Sequence, residues 1–510
     1  MMITPEVNLV GFGLTVHDSS VAAYKNGKFL YRKAERQFKS KHAYAGIDWA
    51  KSVLKEWDID KYELAISTWL AGTDSNQFVE EKDGITYLDH HYSHQLSSSI
   101  KNPHSLVLDS YAKGPGDVPD GLSSYTGLLC NHSGTSSRIQ ELSPAHLLTQ
   151  LVKSDSFDHE KITYSFEEIQ DFVINKSINL FQSKKNPSLL PEWPLFIKLV
   201  DIPGKVMGLQ AYGKPSLSDI KAWIQRQAGR NLSVSGEITF KPKNEMDVNF
   251  IATIHKFCEK LVLEKVGQMP DDFNYSGGVA QNVVWNRAIL DTGKTPHIDP
   301  WAYDGGCSIG ALNYLLDKHD IERSNHWEQD DEAPLGKPDG SLFKRVAQLL
   351  AQNKVVGWYQ GNGEVGPRAL GNRSVLFNPT HKDNKDKVNK IKNREWWRPF
   401  GASVKEDQAY RFFDLPVSRH MLFNSNVKYS GIPAVTHVDG TCRHQTVPET
   451  NHQYYSMLEA FEQETGLPVL GNTSLNKQGK PICSTVEEAL DIFKTSDLDA
   501  ICIGEELYTK

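Results

Sequence analysis

The chain opens in short bursts of apolar and β-branched residues. Val7–Val16 reads as a strand, and Val21–Tyr24 and Lys28–Ala34 read as two more around a Lys25-Asn26-Gly27 turn, where Asn-Gly accepts the positive φ angles of a tight hairpin. Helical spacing takes over at Ile47–Trp57, and strands are predicted at Tyr62–Ser67 and Ser105–Leu108, the last running straight into Asp109. Asn249–Val266 carries the apolar period of a long helix, and YSGGVAQNVVWNRAIL after it predicts strand, loop and helix around Gly277 and Gly278. The period then lapses at Asn325–Gly340, where an acidic cluster, two prolines and two glycines read as a linker between domains at 1–330 and 341–510. Beyond it come a helix at Lys344–Gln352, a buried strand within Lys354–Asn362, the glycine-rich run GEVGPRALGNRSVL, and a strand-loop-helix unit near Leu467–Phe493. Alternating strand and helix signals place the fold in the α/β class.

Composition narrows the range of functions. A chain of 510 residues exceeds one typical core, so about two to four domains are expected. With 56 Lys and Arg against 63 Asp and Glu, no general basic surface argues for nucleic acid, and any positive patch must be local. Cys130, Cys258, Cys307, Cys442, Cys483 and Cys502 lie far apart, without the close pairs of a zinc ribbon or a disulfide framework, which fits a reducing compartment. The first residues lack a basic leader, and no apolar run reaches the roughly 18 residues of a membrane span. The expectation is a soluble, cytoplasmic protein with small-molecule partners and neither nucleic acid nor membrane among them.

Several clusters could carry chemistry. His90 and His94 stand four apart in DHHYSHQLSSS, so on a helix both imidazoles leave one face a turn apart, the spacing that two ligands of one metal ion need, while His91 points elsewhere. Asp109 and Asp304 are the candidate acidic partners, the second in WAYDGGCSIGAL; each Asp also suits a helix N-cap, but Gly305 and Gly306 beside Asp304 favour a functional role for it. A mixed histidine and carboxylate set fits iron, manganese or zinc. His17 and Asp18, with Ser19 and Ser20, close the first strand, where they could supply a general base, bind phosphate or cap a turn. Ser276–Asn282, SGGVAQN, resembles a nucleotide loop whose following helix offers its amides.

The second half is rich in groups for anions. Arg368 and Arg373 in the Gly363–Leu376 run can offer planar forks to phosphate or carboxylate. Lys392, Arg394 and Arg398 in KNREWWRPFGASV, Arg443 in DGTCRHQTV, and Asn472 and Ser474 in GNTSLNKQGKPI add to them. Interleaved Trp396, Trp397 and Phe400 also suit a solvated basic face over core aromatics, but in a net acidic chain a concentrated arginine pocket is the stronger reading.

In this order, HDSS, ERQFKSKHAYAG, the His90/His94 pair, LDSYAKG, GKVMGLQAYGKP, SGGVAQN, YDGGCSIGAL, GPRALGNRS, REWWRPFGASV, DGTCRHQTV and GNTSLNKQGKPI resemble the O-carbamoyltransferase family. That family includes nodulation protein U and the carbamoyltransferases of cephalosporin and aminoglycoside antibiotic biosynthesis, and the likeness spans nearly the whole chain. It implies a large N-terminal domain of the actin and sugar-kinase type, similar to the enzyme that attaches threonylcarbamoyl to tRNA. It also implies a smaller C-terminal α/β domain similar to the one that makes threonylcarbamoyl-adenylate.

The resemblance further implies that carbamoyl phosphate and ATP, with Mg, give carbamoyl-adenylate in the smaller domain, and that the larger one passes the carbamoyl group to a hydroxyl of a natural product or sugar. By position it maps an iron or similar divalent site to His90, His94 and Asp304 with Asp109 beside them, and catalytic roles to His17, Asp18 and Lys41. Nucleotide contacts map to Ser276, Gly277, Gly278, Asn282 and Gly305, and carbamoyl phosphate handling and adenylation to Arg368, Arg373, Lys392, Arg394, Arg398, Arg443, Asn472 and Ser474. The competing readings are a kinase or ATPase of the sugar-kinase fold and a non-enzymatic nucleotide-binding regulator.

Overall fold

The computed structural model describes residues 8–14, 17–68, 78–112, 125–130, 136–139, 202–215 and 245–510. The chain forms two compact units, Met1–Trp327 and Glu328–Lys510, and the break between them falls inside the Asn325–Gly340 segment. Both are mixed α/β.

In the first unit β1 (Asn8–Gly13), β2 (Ser20–Lys25) and β3 (Lys28–Lys33) form an antiparallel meander. Asn26 and Gly27 turn its hairpin at φ of 52° and 82°, as the Asn-Gly pair predicts. After α1 (Ala34–Phe38) and α2 (Ile47–Glu56) come β4 (Tyr62–Thr68), β5 (Val79–Lys82) and β6 (Ile85–Asp89). β4 lies parallel to β1, and β6 parallel to β4, so the order is β3-β2-β1-β4-β6-β5. Helix α2 turns Trp49, Ala50, Val53 and Leu54 onto Val10, Phe12, Val21 and Ile66, the one-sided burial that its helical spacing predicts.

Helix α3 (His90–Leu96) leaves the end of β6 directly. A second sheet joins β7 (Ser105–Ala112), β8 (Tyr125–Cys130), β9 (Ser136–Ile139), β10 (Asp272–Ser276) and β11 (Thr295–His297) in the order β11-β10-β7-β8-β9. Four more helices follow in this unit, α4 (Ile202–Leu209), α5 (Glu245–Val266), α6 (Val283–Asp291), which packs on β11, and α7 (Cys307–Lys318), which packs on β1, β2 and β4 of the first sheet and on α3. α5 begins before the apolar period that predicts it. The strand expected to reach Val16 ends at Gly13, and Val7, Thr15 and Val16 lie outside the described residues. α7 lies on β1 without an intervening side chain, since a Cβ on Gly11 would fall 2.1 Å from the Ser308 carbonyl oxygen.

The second unit starts with α8 (Gly340–Ala351), which begins ahead of Lys344 because the Asp339 carboxylate caps it, accepting from the Leu342 N–H at 2.8 Å. Its strands are β12 (Val356–Tyr359), β13 (Arg373–Phe377), β14 (Gly401–Lys405), β15 (Ser425–Asn426), β16 (Thr441–Val447), β17 (Val469–Ser474), β18 (Ala500–Ile503) and β19 (Glu506–Thr509). They form one sheet in the order β15-β16-β14-β17-β13-β12-β18-β19. Helices α9 (Asn384–Ile391), α10 (His452–Thr465) and α11 (Val486–Thr495) accompany it. Among the described residues no helix is long and apolar enough to cross a membrane.

Candidate functional site

Asp89 decides where α3 starts. Its carboxylate caps the helix, accepting from the backbone N–H groups of His91 and Tyr92 at 3.0 and 3.3 Å, so His90 occupies the first turn and His94 the next. Both side chains are buried, with ring centroids 4.7 Å apart. Asp109, midway along β7, brings Oδ2 to 3.0 Å from His90 Nε2 and 3.4 Å from His94 Nε2. Asp304 completes the group, 3.4 Å from His94 Nε2 through Oδ1 and 3.9 Å from His90 Nε2 through Oδ2. Neither carboxylate occupies an N-cap: Asp109 lies in a strand, and Asp304 is the first residue of a 3-10 turn capped by Tyr303.

The separations suit a metal ion, because donors bound at about 2.0–2.2 Å lie roughly 3.0–3.5 Å from one another. The electrostatics agree. Burial works against charge on His90, yet Cys307, Asp304 and Asp109 push its pKa up to about 10, and Cys307 with Asp109 holds His94 well above its ordinary value. Asp109 is likewise opposed by burial, but the two imidazoles hold it well below the usual carboxylate range. Negative groups that favour positive charge on both imidazoles favour a divalent cation in the same place. His91 stays outside these donors, its pKa lowered to about 4 by burial and by His90.

A second histidine group adjoins the first. Asp18 sits at φ 55°, and its Oδ2 lies 2.8 Å from both His17 Nδ1 and His42 Nδ1. His17 Nδ1 also lies 3.6 Å from Asp304 Oδ2. Burial opposes charge on His17, but Asp304 and Asp18 raise its pKa. The turn bearing His42 is fixed by Ser19 N–H on the Ala43 carbonyl at 3.0 Å and by His42 N–H on the Glu35 carboxylate at 3.2 Å. Lys41 is half-buried in the same turn.

The residues expected to contact nucleotide have local tasks. The Gly278 N–H donates to Asp109 Oδ1 at 2.9 Å and so orients that carboxylate, while Gly277, at φ 93°, passes so near β7 that a Cβ would fall 2.1 Å from the Leu108 carbonyl oxygen. The Ser276 hydroxyl donates to the His94 carbonyl at 2.8 Å. Asn282 caps α6 through the Val284 and Trp285 N–H groups and reaches His255 Nε2 at 3.0 Å. The Gly305 carbonyl accepts from Ser20 at 2.9 Å and Tyr31 at 2.6 Å.

In the second unit the loop between β12 and β13 is held from within. Glu364 Oε1 accepts from the N–H groups of Leu370, Asn372 and Arg373 at 2.7, 2.9 and 3.3 Å. Arg443, Gly401 and Asn472 are paired in a row across β16, β14 and β17, which puts the first and last on one face with only a glycine between them. Asn472 also donates to the Ala369 carbonyl at 3.2 Å, beside Arg368. Arg368, Arg394, Arg398 and Arg443 are all half-buried. Desolvation, then Arg443 and Arg398, hold Arg368 well below the ordinary guanidinium pKa; Arg394 is affected likewise, and Arg443 is lowered to about 10 by burial and Arg398. Glu395 lies 3.6 Å from Arg398, and the Arg443 Nε is buried without a hydrogen-bond partner. Four guanidinium groups that repel one another in a poorly solvated place are relieved by an anion.

Two predicted members stand apart from that cluster. Arg373 is fully buried over the Tyr359 ring, and its guanidinium donates to the carbonyls of Gln360, Gly361 and Glu332 at 2.7, 3.0 and 3.0 Å, which makes it a clamp on the loop. Lys392 bonds Ser474 and Asn476 and fixes the loop after β17. Sequence reasoning gave no part to His42, Cys307 or Glu364. Each lies inside a motif already singled out, but nothing in its spacing shows which way its side chain faces. Cys307 is buried, with Sγ 3.8 Å from His90 Nδ1 and 3.6 Å from His94 Nε2.

Residues 183–312 match the carbamoyltransferase N-terminus family and residues 347–510 the carbamoyltransferase C-terminus family, together more than half of the chain. The chain belongs to the carbamoyltransferase family. It is 34% identical over 360 residues to nodulation protein NolNO of Sinorhizobium fredii, covering 60% of this chain and 52% of that protein. It is 37% identical over 268 residues to nodulation protein NolO of Bradyrhizobium diazoefficiens, covering 46% and 48%. The chain thus spans about half the length of these relatives. Among solved structures, component A of the Acidaminococcus fermentans (R)-2-hydroxyglutaryl-CoA dehydratase is similar at a TM-score of 0.32 and 14% identity, covering 62% of this chain and 100% of that one. A likeness that slight carries no conclusion.

Proposed function

We propose that this protein carbamoylates a hydroxyl of a small molecule in two steps at two sites. In the unit that starts at Glu328, carbamoyl phosphate, ATP and water give carbamoyl-adenylate, phosphate and pyrophosphate, with Mg accompanying the nucleotide. In the unit that ends at Trp327, the acceptor oxygen attacks the carbamoyl carbon and AMP leaves. The observation that carries this reading is the partition of the chemistry: every arginine of the anion cluster follows the break, and every member of the histidine and carboxylate cluster precedes it. The order β3-β2-β1-β4, antiparallel at β2, supports the actin and sugar-kinase type for the first unit.

Arg368, Arg394, Arg398 and Arg443 would bind the phosphoryl and carbamoyl oxygens and stabilise the charge that shifts as the adenylate forms. Asp18 at Nδ1 fixes the His17 tautomer that leaves the basic lone pair on Nε2, which accepts the proton of the acceptor hydroxyl. Asp304 and Asp18 then stabilise the imidazolium. Iron or a similar divalent ion on His90, His94, Asp109 and Asp304 would supply Lewis acidity toward the carbamoyl carbonyl. No disulfide joins the described cysteines, which suits a cytoplasmic setting, and a natural product or sugar is the acceptor class in view. Incubation with labelled carbamoyl phosphate, ATP and a panel of alcohols tests this. The expected products are pyrophosphate, AMP and a labelled carbamate ester. ADP and a phosphorylated alcohol would instead make the protein a kinase.

A further inference from the structure

We propose that Cys307 gives the metal pocket a second, softer donor set, so that one pocket accepts a hard divalent ion on its carboxylates or a thiophilic ion on its sulfur. The inference rests on the reading of the His90/His94 cluster as a metal site. Cys307 opens α7, three residues after Asp304, so the turn that delivers the carboxylate delivers the thiol to the same two histidines. Its Sγ is 3.6 Å from His94 Nε2 and 3.8 Å from His90 Nδ1, close to the roughly 3.6 Å between sulfur and nitrogen bound to one tetrahedral zinc ion at 2.3 and 2.05 Å.

The two sets share His94 Nε2, which faces both carboxylates as well as the sulfur. They part at His90, which presents Nε2 to Asp109 and Asp304 but Nδ1 to Cys307. His90 therefore serves one set through one nitrogen and the other set through the other. Carboxylate oxygen favours ions such as manganese or magnesium, and thiolate favours zinc or cuprous copper, so ligand softness decides which set is used.

Cobalt(II) added to metal-free protein is the test, because thiolate ligation gives a near-ultraviolet charge-transfer band distinct from the visible ligand-field bands of any bound cobalt. The wild type should show both, Cys307→Ser should lose the near-ultraviolet band and keep cobalt, and Asp109→Asn should keep that band. In competition, zinc should displace manganese from the wild type at lower concentration than from Cys307→Ser. Stoichiometric cobalt with visible bands and no near-ultraviolet band in the wild type would overturn the sulfur set and leave the metal reading intact. No cobalt uptake at all would overturn both. If the serine variant does not fold, Cys307→Ala and the wild-type spectrum decide the matter.

Discussion

Gly310 stands so close to Ser93 that a Cβ on it would lie 1.9 Å from the Ser93 carbonyl oxygen. α7 and α3 therefore meet backbone to backbone, beside His94 on one helix and one turn past Cys307 on the other. That contact sets how near Asp304 and Cys307 come to the histidine pair. Gly310→Ala must push the helices apart, an overpacking cost of about 1–3 kcal/mol, and should lower both melting temperature and bound metal. Gly204, in α4, has nothing within 4 Å of its Cβ position, so Gly204→Ala should be neutral or stabilise by up to about 1 kcal/mol. Thermal melts and elemental analysis of the two variants check the contrast.

The metal assignment predicts that the His90→Ala, His94→Ala double variant loses its metal while staying folded. Both donor sets lose their two imidazoles, which leaves Asp109 and Asp304, or Cys307, without a nitrogen partner. Elemental analysis beside a circular dichroism spectrum decides this, and full metal content in the folded variant would remove His90 and His94 from the site.

His17 is expected to act on the acceptor alone. His17→Ala should still form carbamoyl-adenylate but lose transfer by on the order of a hundred- to ten-thousandfold, the range of general base catalysis. Single-turnover measurements separate the steps. Transfer at the wild-type rate would leave His17 as a partner of Asp18 only.

Much of this was legible in the sequence, and the limits have physical causes. The hairpin at Asn26-Gly27, the α2 stripe and the i, i+4 histidines follow from local rules, because a turn's φ angles and a helix's period depend on neighbours in the chain. Asp304 and Cys307 differ in this respect. Their distance from His90 depends on α7 docking against α3 through Gly310, a relation between segments more than 200 residues apart. Arg373 shows the converse: its motif suggests a substrate fork, while its burial over Tyr359 and its three carbonyl partners emerge only when the loop closes.

Asp299 and His297 give a pH dependence to the support of α3. Asp299 accepts from the Ser99 N–H and hydroxyl, each at 2.8 Å, and lies 3.1 Å from His297 Nε2. Burial opposes its charge, but His297 and Ser99 hold its pKa below the ordinary value; burial also opposes charge on His297, and Asp299 raises it. The carboxylate's contribution is present above its unfolded pKa and is lost as pH falls through its lowered folded value. That of His297 is complete below its unfolded pKa and is lost as pH rises through its raised folded value. The pair should therefore stabilise most between about pH 4 and 6.5. Urea unfolding of the wild type and Asp299→Asn across pH should show the largest difference in that window, and a difference independent of pH would mean the ion pair contributes nothing.

Arg443 and Arg398 belong to the cluster after the break, and each offers charge-assisted hydrogen bonds worth about 1.5–3 kcal/mol. Arg443→Ala and Arg398→Ala should therefore lose pyrophosphate release from carbamoyl phosphate and ATP by about ten- to a hundredfold or more. Supplied with preformed carbamoyl-adenylate, both should carbamoylate the acceptor at the wild-type rate. His94→Ala should behave in the opposite way, forming the adenylate and failing to use it. Arg373→Ala belongs to neither class, since loss of its carbonyl clamp loosens the loop and should lower stability as well as adenylation. If the Arg443 and His94 variants, each shown to be folded, lose both half-reactions to the same degree, the two sites are not separate and one shared site must take their place.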